Sequence, residues 1–276
     1  MLLALRLEAY SGFRWTNSYS RALHARCSDA LSRAGLADLH DSDAVPPWTA
    51  SDIYPYRNDV SPGDTSWIMF ASTEQAVLKA IADEFERRPR FNVGPMQYDV
   101  RAARPQHVTV GDIGESGTLM TTSGIVLKVG ERTGTATYWS REKGDARDRA
   151  WGTFKTNLRR SIAGTCRQHN IAEPADSEPV FDEYEFLKDF CVDVQFSADW
   201  RQPVPMSLWR FHYQIRDELH RRQLELLTAT GLGGRTGYGF GCVLPAPHEN
   251  ATKHDTLDQY AIGITNDDRN TTATHA

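Results

Sequence analysis

Six glycines fall between Gly231 and Gly241 in the stretch TATGLGGRTGYGFGCV, residues 228–243. Glycine is spent where a backbone must turn through positive φ or pass close to another group. Successive backbone N–H groups in such a loop can form a concave anion site for a phosphate, and Arg235 supplies a cation within it. The loop is not a Walker P-loop, because no G-x-x-x-x-G-K-[ST] can be aligned on it. It is not the dinucleotide fingerprint either, since a helix pattern precedes it and a strand pattern follows. A helix C-cap followed by a tight turn into an edge strand remains open beside the phosphate reading. Among the nine histidines, His40 stands in LHDSDAVPPWTASDIYP, residues 39–55, just past the first helical pattern. Imidazole can move a proton near neutral pH, although a surface-loop histidine is the simpler reading of the sequence alone. His24 falls within the helical pattern and reads as an ordinary helix residue. The cysteines, Cys27, Cys166, Cys191 and Cys242, are scattered, with no C-x-x-C pair and no histidine at zinc spacing. They predict buried thiols and no metal centre.

The net charge of −5 argues mildly against a nucleic-acid partner, but the charges are segregated. Residues 141–170 carry eight Arg or Lys against three acids, and residues 171–200 carry nine acids against one lysine. Further basic clusters are Arg87, Arg88, Arg90, Arg101 and Arg104, and Arg216, Arg221, Arg222 and Arg235. Arginine accounts for 25 of the 31 basic residues. Its planar donors suit phosphates and base edges. Solvated faces in an acidic, lysine-poor, salt-adapted chain explain the same composition, and salt would screen any bulk attraction to RNA. The apolar start, MLLALRLEAY, is interrupted by Arg6 and Glu8 and is too short for a signal peptide or membrane span. A cytoplasmic protein is the expectation.

These residues need positioning elements. Alternation predicts a strand over 3–9, and Leu23, Cys27 and Leu31 predict a helix over 18–34. SWIMFA, residues 66–71, reads as a strand. A helix follows with Val77, Leu78, Ile81 and Phe85 on one face, a Ser72–Gln75 capping box and a stop at Pro89. Strands are expected at 91–100 and 105–112. The second half predicts strands at 122–130 and in TATYWS, a helix over 146–169, and strands in VFDEYEF and FCVDVQF. An extended stretch over 204–215, a helix ending at Gly231 and a last strand in GFGCVLP complete it. Both halves give the order β-α-β-β-α-β, that of ferredoxin-like units. The expected fold is therefore α+β, with two tandem ferredoxin-like (RRM-like) domains over 1–118 and 119–245 and a cleft between them. The boundary is expected within 114–122. Residues 246–276, polar and without periodicity, predict a disordered tail.

GLGGRTGYGFG, read as G-L-G, five residues, then G-F-G, resembles the C-terminal glycine-rich loop of the CRISPR repeat-processing endoribonucleases, the sixth Cas family of the RAMP superfamily. The histidine and proline-containing stretch after the first helix, and LMTTSGIVLKV at the start of the second half, extend the resemblance over residues 1–244. The resemblance implies metal-independent cleavage of CRISPR repeat RNA by attack of its own 2′-OH. The products would be a 2′,3′-cyclic phosphate and a 5′-OH. It implies His40 as the catalytic histidine, acting as base or acid. Gly231, Gly233, Gly239 and Gly241, with Arg235, would hold RNA, and no cofactor is needed. Some members add a tyrosine and a lysine. This chain has no lysine before Lys79, which leaves Arg33, Ser42, Ser51 and His24 as substitutes by type. Arg147, Arg149, Arg159 and Arg160 could face RNA or solvent, and Trp48, Tyr54 and Tyr56 could stack on bases or pack. Effector-complex proteins and a second copy of the chain stay open as partners. Two rival readings are a non-cleaving RNA-binding subunit of an effector complex, and an enzyme that uses the loop on a free nucleotide phosphate.

Overall fold

A computed structural model describes residues 1–15, 19–38, 48–93, 95–106, 113–127, 145–175, 178–195, 200–234 and 236–261. The first half contains β1 (Leu2–Ala9), β2 (Phe13–Arg14), α1 (Ser20–Arg33), β3 (Trp48–Ala50), β4 (Asp59–Val60), β5 (Thr65–Ser72), α2 (Gln75–Arg87), β6 (Arg90–Val93) and β7 (Met96–Gln106). The second contains β8 (Ser116–Thr121), α3 (Asp145–Gln168), β9 (Glu183–Gln195), β10 (Arg201–Gln214), α4 (Glu218–Thr230), a 3-10 turn (Thr236–Tyr238) and β11 (Val243–Pro245).

The larger sheet has the order β3-β5-β1-β7-β6 and the smaller one β11-β8-β10-β9. Every pairing in both is antiparallel. In each sheet the first strand of its half is interior: β1 lies between β5 and β7, and β8 between β10 and β11. This mixed α/β architecture with antiparallel sheets is the coarse fold that the element order predicts.

Alternation along β1 sorts its side chains. Leu3, Leu5 and Leu7 join Leu23, Cys27, Leu31, Val77, Ile81 and Phe85 in the core beneath α1 and α2. Leu2 and Ala4 point to the other face, as the two-residue period of a strand requires. Burying Val77, Leu78, Ile81 and Phe85 contributes roughly 1.5–3 kcal/mol each relative to exposure, and all four are 1% exposed or less. The start of α2 differs slightly from the expected capping box. Glu74 is the N-cap, and the Ser72 hydroxyl accepts the Glu74 N–H at 3.0 Å. In the second half Phe154, Leu158 and Ile162 from α3 and Leu224 and Leu227 from α4 pack on Trp209 and Phe211 of β10. Asp217 caps α4 by accepting the His220 N–H at 2.7 Å.

β7 ends at Gln106 and β8 begins at Ser116, so the chain passes between the sheets in a stretch that overlaps the start of the expected 114–122 boundary. Two expectations need correction. Over 122–127 the backbone is not a strand; it makes one bridge, Ile125 to Ser207. Its groups turn aside to the glycine loop. The tail expected from residue 246 is instead helical over 253–261. Leu257, Tyr260 and Ala261 pack with Leu2, Ala4, Trp67 and Met69 on the face of the larger sheet away from α1 and α2. Three apolar residues among many polar ones suffice once a ready apolar face receives them. Residues 262–276 and the expected strand TATYWS lie outside the described residues.

Candidate nucleic-acid interface

The glycine loop leaves α4 through Gly231, whose N–H closes on Leu227 O at 2.8 Å with φ of 82°. Its neck is the Leu232 N–H to Gly241 O bond at 2.8 Å. The Gly234 N–H donates to Val126 O, and the Gly241 N–H to Gly124 O at 2.9 Å. Gly239 closes the 3-10 turn onto Thr236 O at 2.8 Å. Within this loop the positive-φ glycines are Gly231, Gly233, Gly239 and Gly241, at 82°, 87°, 82° and 72°. L side chains rarely adopt that region. A Cβ would also lie 2.6 Å from Val126 O at Gly233 and 1.9 Å from Leu232 O at Gly241. The N–H groups of Gly231, Gly239 and Gly241 are thus used inside the protein. These glycines give the loop its shape, and the open anion nest allowed by the sequence does not describe them.

The loop lies on the seam between the halves. Thr49 of β3 donates its hydroxyl to Phe240 O at 3.3 Å. Ser123 donates to Ala50 O at 3.1 Å and accepts the Cys242 N–H at 2.9 Å. Thr49 and Ser123 are fully buried, and such bonds are costly to leave unmade. At the loop's tip the His24 ring of α1 stacks on Tyr238, with centroids 4.2 Å apart and planes at 11°. His24 Nδ1 lies 2.8 Å from Gly237 O. The sequence had placed His24 as an ordinary helix histidine; the loop it meets is 213 positions away.

His40 and Arg235 lie outside the described residues, as does Ser42. The segment carrying His40 rejoins the described chain at Trp48, which is buried and whose ring centroid is 6.4 Å from that of His24. Trp48 is therefore a packing residue. Arg33 is paired with Glu84 at 3.2 Å, and the Ser51 hydroxyl accepts the Met69 N–H at 3.0 Å. Arg159 donates to the carbonyls of Glu178 and Pro174 at 2.7 and 2.9 Å, a structural use. Arg160 is exposed, whereas the Arg147 and Arg149 side chains lie outside the description.

A cleft of about 460 Å³ opens beside the seam, lined by Trp15, Tyr19, Tyr54 and Tyr56 from the first half, Lys188 and Phe190 from β9, and Phe240 from the loop. Lys253 and His254 of the C-terminal segment also line it. Lys253 pairs with Asp52 at 2.5 Å, and Tyr19 donates to Asp52 at 3.2 Å. Burial, reinforced by the Asp52 charge, pushes the Tyr19 phenol well above its ordinary value. Burial and the hydrogen bond to Asp258 push Tyr54 up to about 12. Both stay neutral near pH 7 and act as hydrogen-bond donors. Tyr56 is 56% exposed, a flat face of the kind on which bases stack. This cleft has no local sequence signature, because six separate stretches of the chain supply it. Among the described residues, no cluster of three or more His, Cys, Asp or Glu could hold a metal ion. No described helix is long and apolar enough to cross a membrane.

No family model matches the chain. The chain is similar to the CRISPR-associated endoribonuclease Cas6 of Haloferax mediterranei, with 29% identity over 255 residues, 87% of this chain and 92% of that protein. Among solved structures it is similar to an RAMP protein described as binding different RNA substrates, with TM-score 0.64, 20% identity, and 89% and 99% coverage. The product of a Cas6-related gene from Pyrococcus furiosus gives TM-score 0.64 at 17% identity, covering 90% of this chain and 99% of that one. At these identities the structural likeness establishes the fold. The resemblance read from the glycine loop is borne out over most of the chain.

Proposed function

We propose that this chain is an endoribonuclease that cleaves CRISPR precursor RNA within its repeats, without a metal. The two halves are then tandem ferredoxin-like units that meet before Ser116, and the seam between them is the RNA-facing surface. The observation that carries this reading is the glycine loop. The four glycines singled out by resemblance share positive φ, and they fold the loop onto β3, where the segment bearing His40 rejoins the fold. The similarity to a Cas6 endoribonuclease over 87% of the chain supports the same reading.

In the proposed reaction the 2′-oxygen attacks the adjacent phosphorus, so a P–O2′ bond forms as the P–O5′ bond breaks. One proton leaves the 2′-OH and one reaches the departing 5′-oxygen. His40 moves one of them, as base or as acid. The loop, with Arg235, holds the RNA backbone, and the aromatic cleft offers faces for unpaired bases. The internal bonding of the loop amides weighs against the reading in which they cradle a free nucleotide phosphate. We infer a cytoplasmic setting and leave a second copy of the chain and effector-complex proteins as partners to be tested.

The test is cleavage of a cognate repeat RNA in EDTA, with the end of the upstream product mapped. A 2′,3′-cyclic phosphate formed by wild type and lost in His40→Ala supports the reading. Binding by both proteins with cleavage by neither moves the chain to the non-cleaving RNA-binding subunits. Unchanged cleavage by His40→Ala removes His40 from the chemistry.

A further inference from the structure

We propose that His24 is a positioning residue that locks the tip of the glycine loop to the first half and so fixes the loop for its RNA. This rests on the RNA-binding reading of the loop given above. Two independent contacts carry it. Gly237 O is an acceptor only, so His24 Nδ1, 2.8 Å away, holds the proton between them. The same ring lies flat on Tyr238 at 4.2 Å, while Trp48 lies on a further side at 6.4 Å and 29°. Both contacts fall on the 3-10 turn, Thr236–Tyr238, between the glycine-rich flanks of the loop.

The position of His24 on its helix fits this role. The buried residues of α1 are Ser20, Leu23, Cys27, Ala30 and Leu31. His24 stands on the flank of that face, turned to a loop from the other half of the chain. A six-glycine loop has much backbone freedom to lose on binding. A contact that orders it beforehand lowers that cost and tightens binding. A hydrogen bond and a ring stack together are enough to shift affinity about tenfold, or about 1.4 kcal/mol.

The experiment uses the full chain and a cognate repeat RNA, with a 2′-deoxy nucleotide at the cleavage position for binding and the all-ribose RNA for single-turnover cleavage. His24→Ala is expected to raise Kd about tenfold. Cleavage at saturating protein should stay within about threefold of wild type. His24→Asn, which keeps a donor close to the Nδ1 position, should recover part of the affinity. Tyr238→Ala should match His24→Ala, and the double variant should lose no more than the larger single loss. Wild-type affinity in His24→Ala overturns the inference, as do additive losses in the double variant. Lost cleavage at saturation with unchanged Kd also overturns it, because His24 would then act on the chemistry. Should His24→Ala not fold, the His24→Asn and Tyr238→Ala arms decide alone. If wild type neither binds nor cleaves repeat RNA, the RNA reading of the loop fails first; wild-type activity with unaffected variants removes His24 alone.

Discussion

Leu232 and Gly241 close the neck of the glycine loop: the Leu232 N–H donates to Gly241 O at 2.8 Å. The Leu232 carbonyl oxygen lies 1.9 Å from where a Cβ on Gly241 would stand. The loop's shape therefore depends on a hydrogen there.

Gly241→Ala must move backbone, and φ of 72° adds strain. The expected cost is about 1–3 kcal/mol of stability, with weakened RNA binding. Gly234→Ala is the contrast, because its nearest neighbour to a new Cβ is Val126 O at 3.7 Å. Thermal melts and RNA titrations of the two variants should separate, with Gly234→Ala near wild type. Equal effects would detach the loop's shape from its function.

His40→Ala should lower the single-turnover cleavage rate by about 100-fold or more, the usual contribution of a positioned acid or base. The Kd for 2′-deoxy repeat RNA should stay within about threefold. A Kd that rises as steeply as the rate falls would make His40 a binding residue.

Glu84 is a carboxylate with 2% side-chain exposure, paired with Arg33 at 3.2 Å and Arg87 at 2.5 Å and also with Arg88. Burial alone would raise its pKa. The hydrogen bonds from Arg87 and Arg88 and the charges of Arg88 and Arg33 outweigh that and hold it below the ordinary value of 4.5. Its contribution to stability is present above that value and fades as pH falls through the lower folded value. Glu84→Gln should destabilise by about 3 kcal/mol at pH 7. Urea melts at pH 7 and pH 3 should show the gap to wild type narrowing in acid; a constant gap would assign the loss to packing.

Leu257, 1% exposed, anchors the C-terminal helical segment on the larger sheet. Leu257→Ala should cost about 2–5 kcal/mol by chemical denaturation. A wild-type midpoint would mean that the segment does not stabilise the fold in solution. Lys253→Ala, which breaks a partly exposed ion pair with Asp52, should cost no more than about 1 kcal/mol.

The amino-acid sequence by itself determined the helices α1 to α4 and where the loop's backbone turns. Val77, Leu78, Ile81 and Phe85 announce α2, Gly231 announces the end of α4, and the glycine spacing announces backbone turns. All are local signals, carried by residues within a turn or two of one another. Only the tertiary structure decided what those elements meet. The 122–127 stretch has the composition of a strand, yet its carbonyls at Gly124 and Val126 serve the glycine loop more than a hundred residues away. Leu257 and Tyr260 sit in a polar stretch and are buried because Trp67 and Met69 offer them a face. His24 has the sequence context of a routine helix residue; the fold brings it onto Tyr238. Pairings across such separations depend on which surfaces the folded chain leaves uncovered, and no short window of sequence contains both partners.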